Sequence, residues 1–170
     1  MTTKTRPLRF GIIGVGTVGR QHIKRLLSGA APAALVAIAD DNVEAAAAVA
    51  DEHGLEIARS TGELLQRGDI DAVVIAVPSG LHGDVAAAAL DAGKHVYLEK
   101  PIEVTVAAAD RIRAAERRSG KVLSIVSQRR FAAENQFIKK LIGEGALGQV
   151  TSATIEVPLW RSQEYYDSGN

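Results

Sequence analysis

The sequence predicts an α/β fold built on a doubly wound parallel sheet. Three observations carry that prediction. An apolar run, Leu8 to Ile13, leads into a glycine triplet, Gly14, Gly16 and Gly19, and then into Val18, His22, Ile23, Leu26 and Leu27 at helical spacing. Further short apolar runs alternate with helical stretches along the chain. Those runs are continuous rather than alternating, as expected for strands covered on both faces. Strand and helix in steady alternation call for a parallel sheet with right-handed crossovers, wound on both sides.

The elements follow in order. Ser28-Gly29-Ala30-Ala31-Pro32 breaks the first helix, and Leu35 to Ala39 forms the second strand. Val43 to Glu52 is an alanine-rich helix stopped by Gly54. Ile57-Ala58-Arg59 is a brief third strand. Ser60-Thr61-Gly62-Glu63 has the form of a capping box and opens a short helix through Leu65. Ile70 to Val77 is a β-branched apolar run ended by Pro78. A helix from Asp84 to Leu90 is closed by Gly93, and His95 to Leu98 is the next strand. Val104 or Thr105 opens a long helix that ends near Ser119-Gly120, with Arg117 and Arg118 placed favourably for its dipole. Val122 to Val126 closes the series.

After Ser127 the pattern changes. Phe131 to Ile142 reads as an amphipathic helix. Gln149 to Leu159 alternates, with Ala153, Ile155, Val157 and Leu159 on one face and Ser152, Thr154 and Glu156 on the other, which predicts a half-buried strand of an open-faced sheet. One helix and one strand cannot bury a core alone. The expected division is residues 1–127 as a nucleotide-binding domain and 128–170 as the incomplete beginning of a second, α+β domain, whose exposed sheet invites self-association.

Composition narrows the function classes. The formal net charge is zero, which argues against a general nucleic-acid binder. There is no cysteine, so disulfides, thiolate metal sites and cysteine nucleophiles are excluded, and no metal site is assigned. Met1 to Arg9 lacks the apolar core of a signal peptide, and no apolar run approaches the ~20 residues that span a bilayer. The chain reads as soluble and cytoplasmic, with neither nucleic acid nor membrane as a partner.

The glycine triplet has the spacing G-x-G-x-x-G in a strand–turn–helix context, which is that of a dinucleotide-binding turn. Gly14 permits the tight turn, Gly16 lets the backbone approach a pyrophosphate, and Gly19 lets the helix pack close to the strand. The first-turn amides, those of Thr17 and Val18 included, then face the anion. Asp40 ends the second strand about 20 residues after Gly19, where a carboxylate accepts hydrogen bonds from ribose hydroxyls and repels a 2′-phosphate. That favours NAD, while Arg59 leaves NADP open. Asp40 also suits an N-cap, as does Asn42. Two more stretches follow strands, where open α/β sheets place ligands: Ala76 to His82, which includes Pro78, and Tyr97-Leu98-Glu99-Lys100-Pro101. Lys100 beside a cofactor cleft is a candidate proton donor.

Taken together and in order, the glycine turn, Asp40, Val-Pro-Ser-Gly-Leu-His at 77–82, Ala-Gly-Lys-His-Val-Tyr-Leu-Glu-Lys-Pro at 92–101, Gln-Arg-Arg-Phe at 128–131 and Gly-Ala-Leu-Gly-Gln-Val at 145–150 resemble the Gfo/Idh/MocA oxidoreductases. The resemblance implies a Rossmann domain binding NAD or NADP. It implies Lys100 as the catalytic lysine, Glu99 and His82 near the nicotinamide half of the cofactor, a cis peptide before Pro101, and Arg130 at the junction with a second domain. It further implies a sugar, sugar-derivative or cyclitol substrate, and a homo-oligomer formed through a C-terminal sheet. Members of that family are considerably longer, and the remainder supplies an Asp and a His that work with the lysine. The expected reading is therefore a cofactor-binding fragment of a dehydrogenase. A regulatory NAD-binding module without turnover is the alternative, and a methyltransferase ranks last because it has no need of Lys100-Pro101.

Overall fold

The structure is a computed structural model that describes residues 6–30 and 32–167. The chain divides into two compact units, Met1–Val126 and Ser127–Asn170.

The first unit is the doubly wound sheet. Its strands are β1 (Leu8–Ile13), β2 (Ala33–Ala39), β3 (Glu56–Ile57), β4 (Ala72–Ile75), β5 (His95–Leu98) and β6 (Leu123–Ile125). They lie in the order β3-β2-β1-β4-β5-β6, and every neighbouring pair is parallel. The helices are α1 (Thr17–Leu27), α2 (Val43–His53), α3 (Thr61–Gln66), α4 (His82–Asp91) and α5 (Val106–Ser119).

Successive side chains of a strand point to opposite faces, and that period divides the core in two. Ile12, Ile38 and Val74 face one side, where they pack with Ile23 of α1 and with Val49 and Ala50 of α2. Ile13, Ala39, Val73, Ile75, Val96 and Leu98 face the other, against Leu64 of α3, Ala86 and Leu90 of α4, and Ile112 and Ala115 of α5. Continuous apolar strands are the consequence of having both faces covered.

The helix starts follow side-chain capping. Asn42 Oδ1 accepts from the Ala45 amide at 3.0 Å, and Thr105 Oγ1 from Ala108 at 3.2 Å. Asn42, and not Asp40, caps α2. Ser60 Oγ accepts from the Glu63 amide at 3.1 Å, but the return arm of the box differs from expectation: Glu63 Oε2 accepts from the Arg59 amide at 2.9 Å. The apolar run at 70–77 is strand only over Ala72–Ile75, because the chain turns away toward a 3-10 turn at Ser79–Leu81. That turn runs straight into α4, which therefore starts at His82 rather than Asp84.

Charged groups close the end of the sheet where the strands begin. Asp71 accepts both Nη groups of Arg6 at 2.9 Å and the Arg9 amide at 3.0 Å. Buried Lys94 donates to the carbonyls of Arg67 and Ile70 at 2.6 and 2.9 Å, and burial lowers its pKa. The Arg6 and Arg9 guanidiniums hold the Asp71 carboxyl far below the usual carboxylate range. A depressed carboxyl pKa stabilises the fold above the unfolded value of about 3.9, and that stability is lost as pH falls toward the folded value. Urea midpoints measured against pH are accordingly expected to fall in acid below about pH 4, and to fall less steeply in Asp71→Asn.

In the second unit a 3-10 turn at Gln128–Phe131 leads into α6 (Ala133–Gly143), as the amphipathic pattern predicts, and α7 spans Gln163–Asp167. The strand expected over Gln149–Leu159 is not formed. No residue from 149 to 159 belongs to a strand, and Ile155, Val157 and Leu159 are exposed. Alternation makes a strand only where a neighbour pairs its amides and carbonyls. Among the described residues of this unit there is no such neighbour. The open-faced sheet expected of an α+β domain is thus absent from the described residues. No helix among them is long and apolar enough to cross a membrane.

Candidate cofactor site

Parallel pairing aligns the ends of the strands. Ile13 is level with Ala39 and Ile75, and Ile75 with Leu98. Gly14, Asp40, Ala76 and Glu99 are therefore each the first residue beyond one edge of the sheet. The strand order reverses between β1 and β4, and a crevice outside the carboxyl ends at such a reversal is where open α/β sheets bind ligands.

The glycine turn fills the β1 side of that crevice, and its three glycines differ physically. Gly14 has φ +93°, and a Cβ there would meet the Ala76 carbonyl oxygen at 2.6 Å. A Cβ on Gly19 would fall onto the carbonyl oxygen of Gly14. A Cβ on Gly16 would meet nothing within 4 Å. Two glycines are thus required by the fold, and the third borders open space. The amides of Thr17, Val18 and Gly19 open α1 with no acceptor among the described residues, and no side chain caps the helix. Unpaired amides at a helix N-terminus, next to a position kept clear of side chain, suit a pyrophosphate.

Asp40 makes two contacts that the sequence reading did not assign to it. Its Oδ2 accepts from the Val15 amide at 2.7 Å, and its Oδ1 from Asn42 at 2.8 Å. It therefore ties the end of β2 to the glycine turn. Each oxygen keeps a second lone pair, enough to accept ribose hydroxyls as well. Arg59, the residue that left NADP open, is held by Glu63 with Nε to Oε2 at 2.9 Å.

Across the reversal, the loop after β5 carries Glu99 and the exposed Lys100. The Lys100–Pro101 peptide is cis. Glu99 Oε1 lies 2.8 Å from His22 Nε2 on α1, and Oε2 accepts from the Lys100 amide at 3.1 Å. His22 stands edge-on to Tyr97, with ring centroids 5.7 Å apart. The Lys100 ammonium has neither a hydrogen bond nor an ion pair among the described residues.

His82 is 1% exposed, and both ring nitrogens meet carbonyl oxygens, Nδ1 that of Pro101 at 2.7 Å and Nε2 that of Val77 at 3.0 Å. It straps the exit of β4 to the Lys100–Pro101 loop and does not open into the crevice. Pro78 is exposed, and its carbonyl accepts from the Leu81 amide at 2.9 Å. Glu103 accepts from the Gly83 amide at 2.6 Å, and the amides of Val104 and Gly83 hold its carboxyl below the usual range.

The first unit thus brings Gly14, Gly16, Thr17, Val18, Gly19, Asp40, Pro78, Glu99 and Lys100 to one edge of the sheet. Arg130 belongs to the second unit, where it is exposed and its carbonyl accepts from Gln136 Nε2. Sequence reasoning missed the contacts of His22, Tyr97 and Glu103. His22 was visible only as a position of helical spacing, although its place directly after the glycine turn is a usable signal. A separate concavity lined by Arg6, Pro7, Arg9 and Ala34 lies at the opposite edge, and both of its arginines are engaged by Asp71.

Comparison with known proteins points the same way. The GFO_IDH_MocA model, described as an oxidoreductase family with an NAD-binding Rossmann fold, matches residues 8–127. Inositol 2-dehydrogenase of Rhizobium meliloti (strain 1021) is 37% identical over 151 residues, 87% of this chain and 44% of that protein. Inositol 2-dehydrogenase of Salmonella typhimurium is 34% identical over 145 residues, 84% of this chain and 43% of that one. Among solved structures, the WlbA dehydrogenase from Bordetella pertussis, in complex with NADH and UDP-GlcNAcA, is 37% identical with a TM-score of 0.91, covering 96% of this chain and 50% of that one. The chain spans less than half the length of these curated relatives.

Proposed function

The chain belongs to the GFO_IDH_MocA oxidoreductase family, and from that membership we propose that residues 1–127 bind NAD, in preference to NADP, at the sheet edge carrying Gly14, Asp40 and Lys100. The glycine turn carries this reading: two glycines blocked by backbone and one open, beside unpaired amides. Thr17, Val18 and Gly19 hold the pyrophosphate through their amides, and Asp40 accepts the adenosine ribose hydroxyls. A bound nicotinamide supplies the hydride acceptor. Lys100 is the catalytic residue and moves the proton of the substrate hydroxyl, with Glu99 beside it toward the nicotinamide half. Buried His82 acts there through the loop it straps, and Arg130 belongs to the start of a second domain. The substrate is a hydroxyl of a sugar, sugar derivative or cyclitol, supported by relatives named for inositol and by the sugar nucleotide bound to WlbA.

Calorimetric titration with NAD and, separately, NADP tests the proposal. Tighter binding of NAD is expected. In Asp40→Ala the NAD affinity is expected to fall by roughly tenfold or more, the worth of charge-assisted hydrogen bonds lost to the ribose. Tighter NADP binding by the unaltered chain would sink the role given to Asp40, and failure of a folded chain to bind either nucleotide would overturn the proposal.

A further inference from the structure

We infer that His22 is a positioning residue for Lys100, acting through Glu99, so that the helix that receives the nucleotide also holds the loop that carries the proposed catalytic lysine. The inference rests on the assignment of the α1 N-terminus to the cofactor.

The contacts form a continuous chain. His22 Nε2 and Glu99 Oε1 are 2.8 Å apart, with side-chain exposures of only 14% and 13%. A carboxylate can only accept, so Nε2 bears the hydrogen and donates it. The other Glu99 oxygen accepts from the Lys100 amide at 3.1 Å. Glu99's own amide donates to the Ile75 carbonyl at 3.0 Å, so its backbone belongs to the sheet while its side chain spans from helix to loop. Tyr97, packed in the cluster of Ile12, Val15 and Ile23, meets the His22 ring edge-on and fixes its plane.

A glutamate at a strand end has several rotamers, and only some place an oxygen on the following amide. A charge-assisted hydrogen bond in a largely buried setting selects among them. α1 is an 11-residue rod, so its first turn and His22 move together. The other side of the loop is held independently of α1, by His82 on the Pro101 carbonyl at 2.7 Å and by the Gly83 amide on Glu103 at 2.6 Å. Lys100 thus sits between two anchors, and only the anchor on α1 is shared with the proposed pyrophosphate site.

Amide hydrogen exchange at Lys100, measured by NMR on the full chain with and without NAD, tests the inference. His22→Phe keeps the ring's packing and removes the donor. It is expected to lower protection of the Lys100 amide by about tenfold. The amides of Val96 and Glu99, bonded to Val122 and Ile75, should keep theirs. His22→Gln, which returns an N–H at similar reach, should restore protection at Lys100. In the unaltered chain NAD should raise protection at Lys100, and in His22→Phe it should raise it less. Unchanged protection at Lys100 in His22→Phe, or a loss shared equally by Val96 and Glu99, would overturn the inference. The unaltered chain supplies an arm that needs no variant: calorimetric NAD binding without any change at the Lys100 amide would also overturn it. Absence of calorimetric binding would instead overturn the assignment of function, while the nucleotide-free difference between His22 and Phe would still stand.

Discussion

Gly19→Ala is expected to lose about a hundredfold in NAD affinity, the effect of misplacing one or two charge-assisted amide–phosphate hydrogen bonds. The cause is steric. The added Cβ would collide with the Gly14 carbonyl oxygen, so α1 must shift away from the end of β1. Gly14 is itself held in place, because its amide donates to the Ala39 carbonyl of β2 at 2.9 Å. The same overpacking should lower stability by about 1–3 kcal/mol. Gly16→Ala is the informative partner. Its Cβ meets no atom within 4 Å, and its φ of −63° suits alanine, so stability should be retained while the methyl group occupies the space proposed for the pyrophosphate. Calorimetry for affinity and thermal melts for stability separate the two variants. Equal effects on stability would contradict the different roles given to these glycines.

Leu90→Ala is expected to cost about 2–5 kcal/mol, the range for emptying a fully buried leucine site. Leu90 is 0% exposed and belongs to the core cluster that joins α4 to Val73, Ile75, Val96 and Leu98 of the sheet and to Ile112 of α5. For a chain of this size the melting temperature should drop by roughly 5–15 °C. Because Leu90 lies at the far end of α4 from His82, NAD affinity of the folded variant should change little. A drop of less than about 1 kcal/mol would mean that this half of the core is less tightly packed than its burial shows.

The parts that were legible in the sequence are those governed by neighbours in the chain. The glycine turn, the caps at Asn42, Ser60 and Thr105, and the αL glycines at 54 and 120 follow from spacings of a few residues, and all lie where local chemistry requires. The covered strands were legible because burial on both faces leaves unbroken apolar runs. What the chain does not announce is pairing at long range. His22 and Glu99 are 77 positions apart, and neither spacing nor periodicity relates them. Asp40 could be placed at its strand end, but its bond to the Val15 amide depends on how β2 lies against β1. The segment 149–159 fails for the complementary reason: its alternation describes what a strand there would bury, while strand formation depends on a neighbour the pattern does not contain.

The most direct measurement is a backbone amide NMR titration of the full chain with NAD. Shifts are predicted at Gly16, Thr17, Val18 and Gly19, at Asp40 and Asp41, and at Glu99 and Lys100, with the strand-start edge around Arg9 and Asp71 unchanged. Shifts confined to that opposite edge, or no shifts at all from a folded chain, would contradict the placement of the cofactor at the β1–β4 reversal.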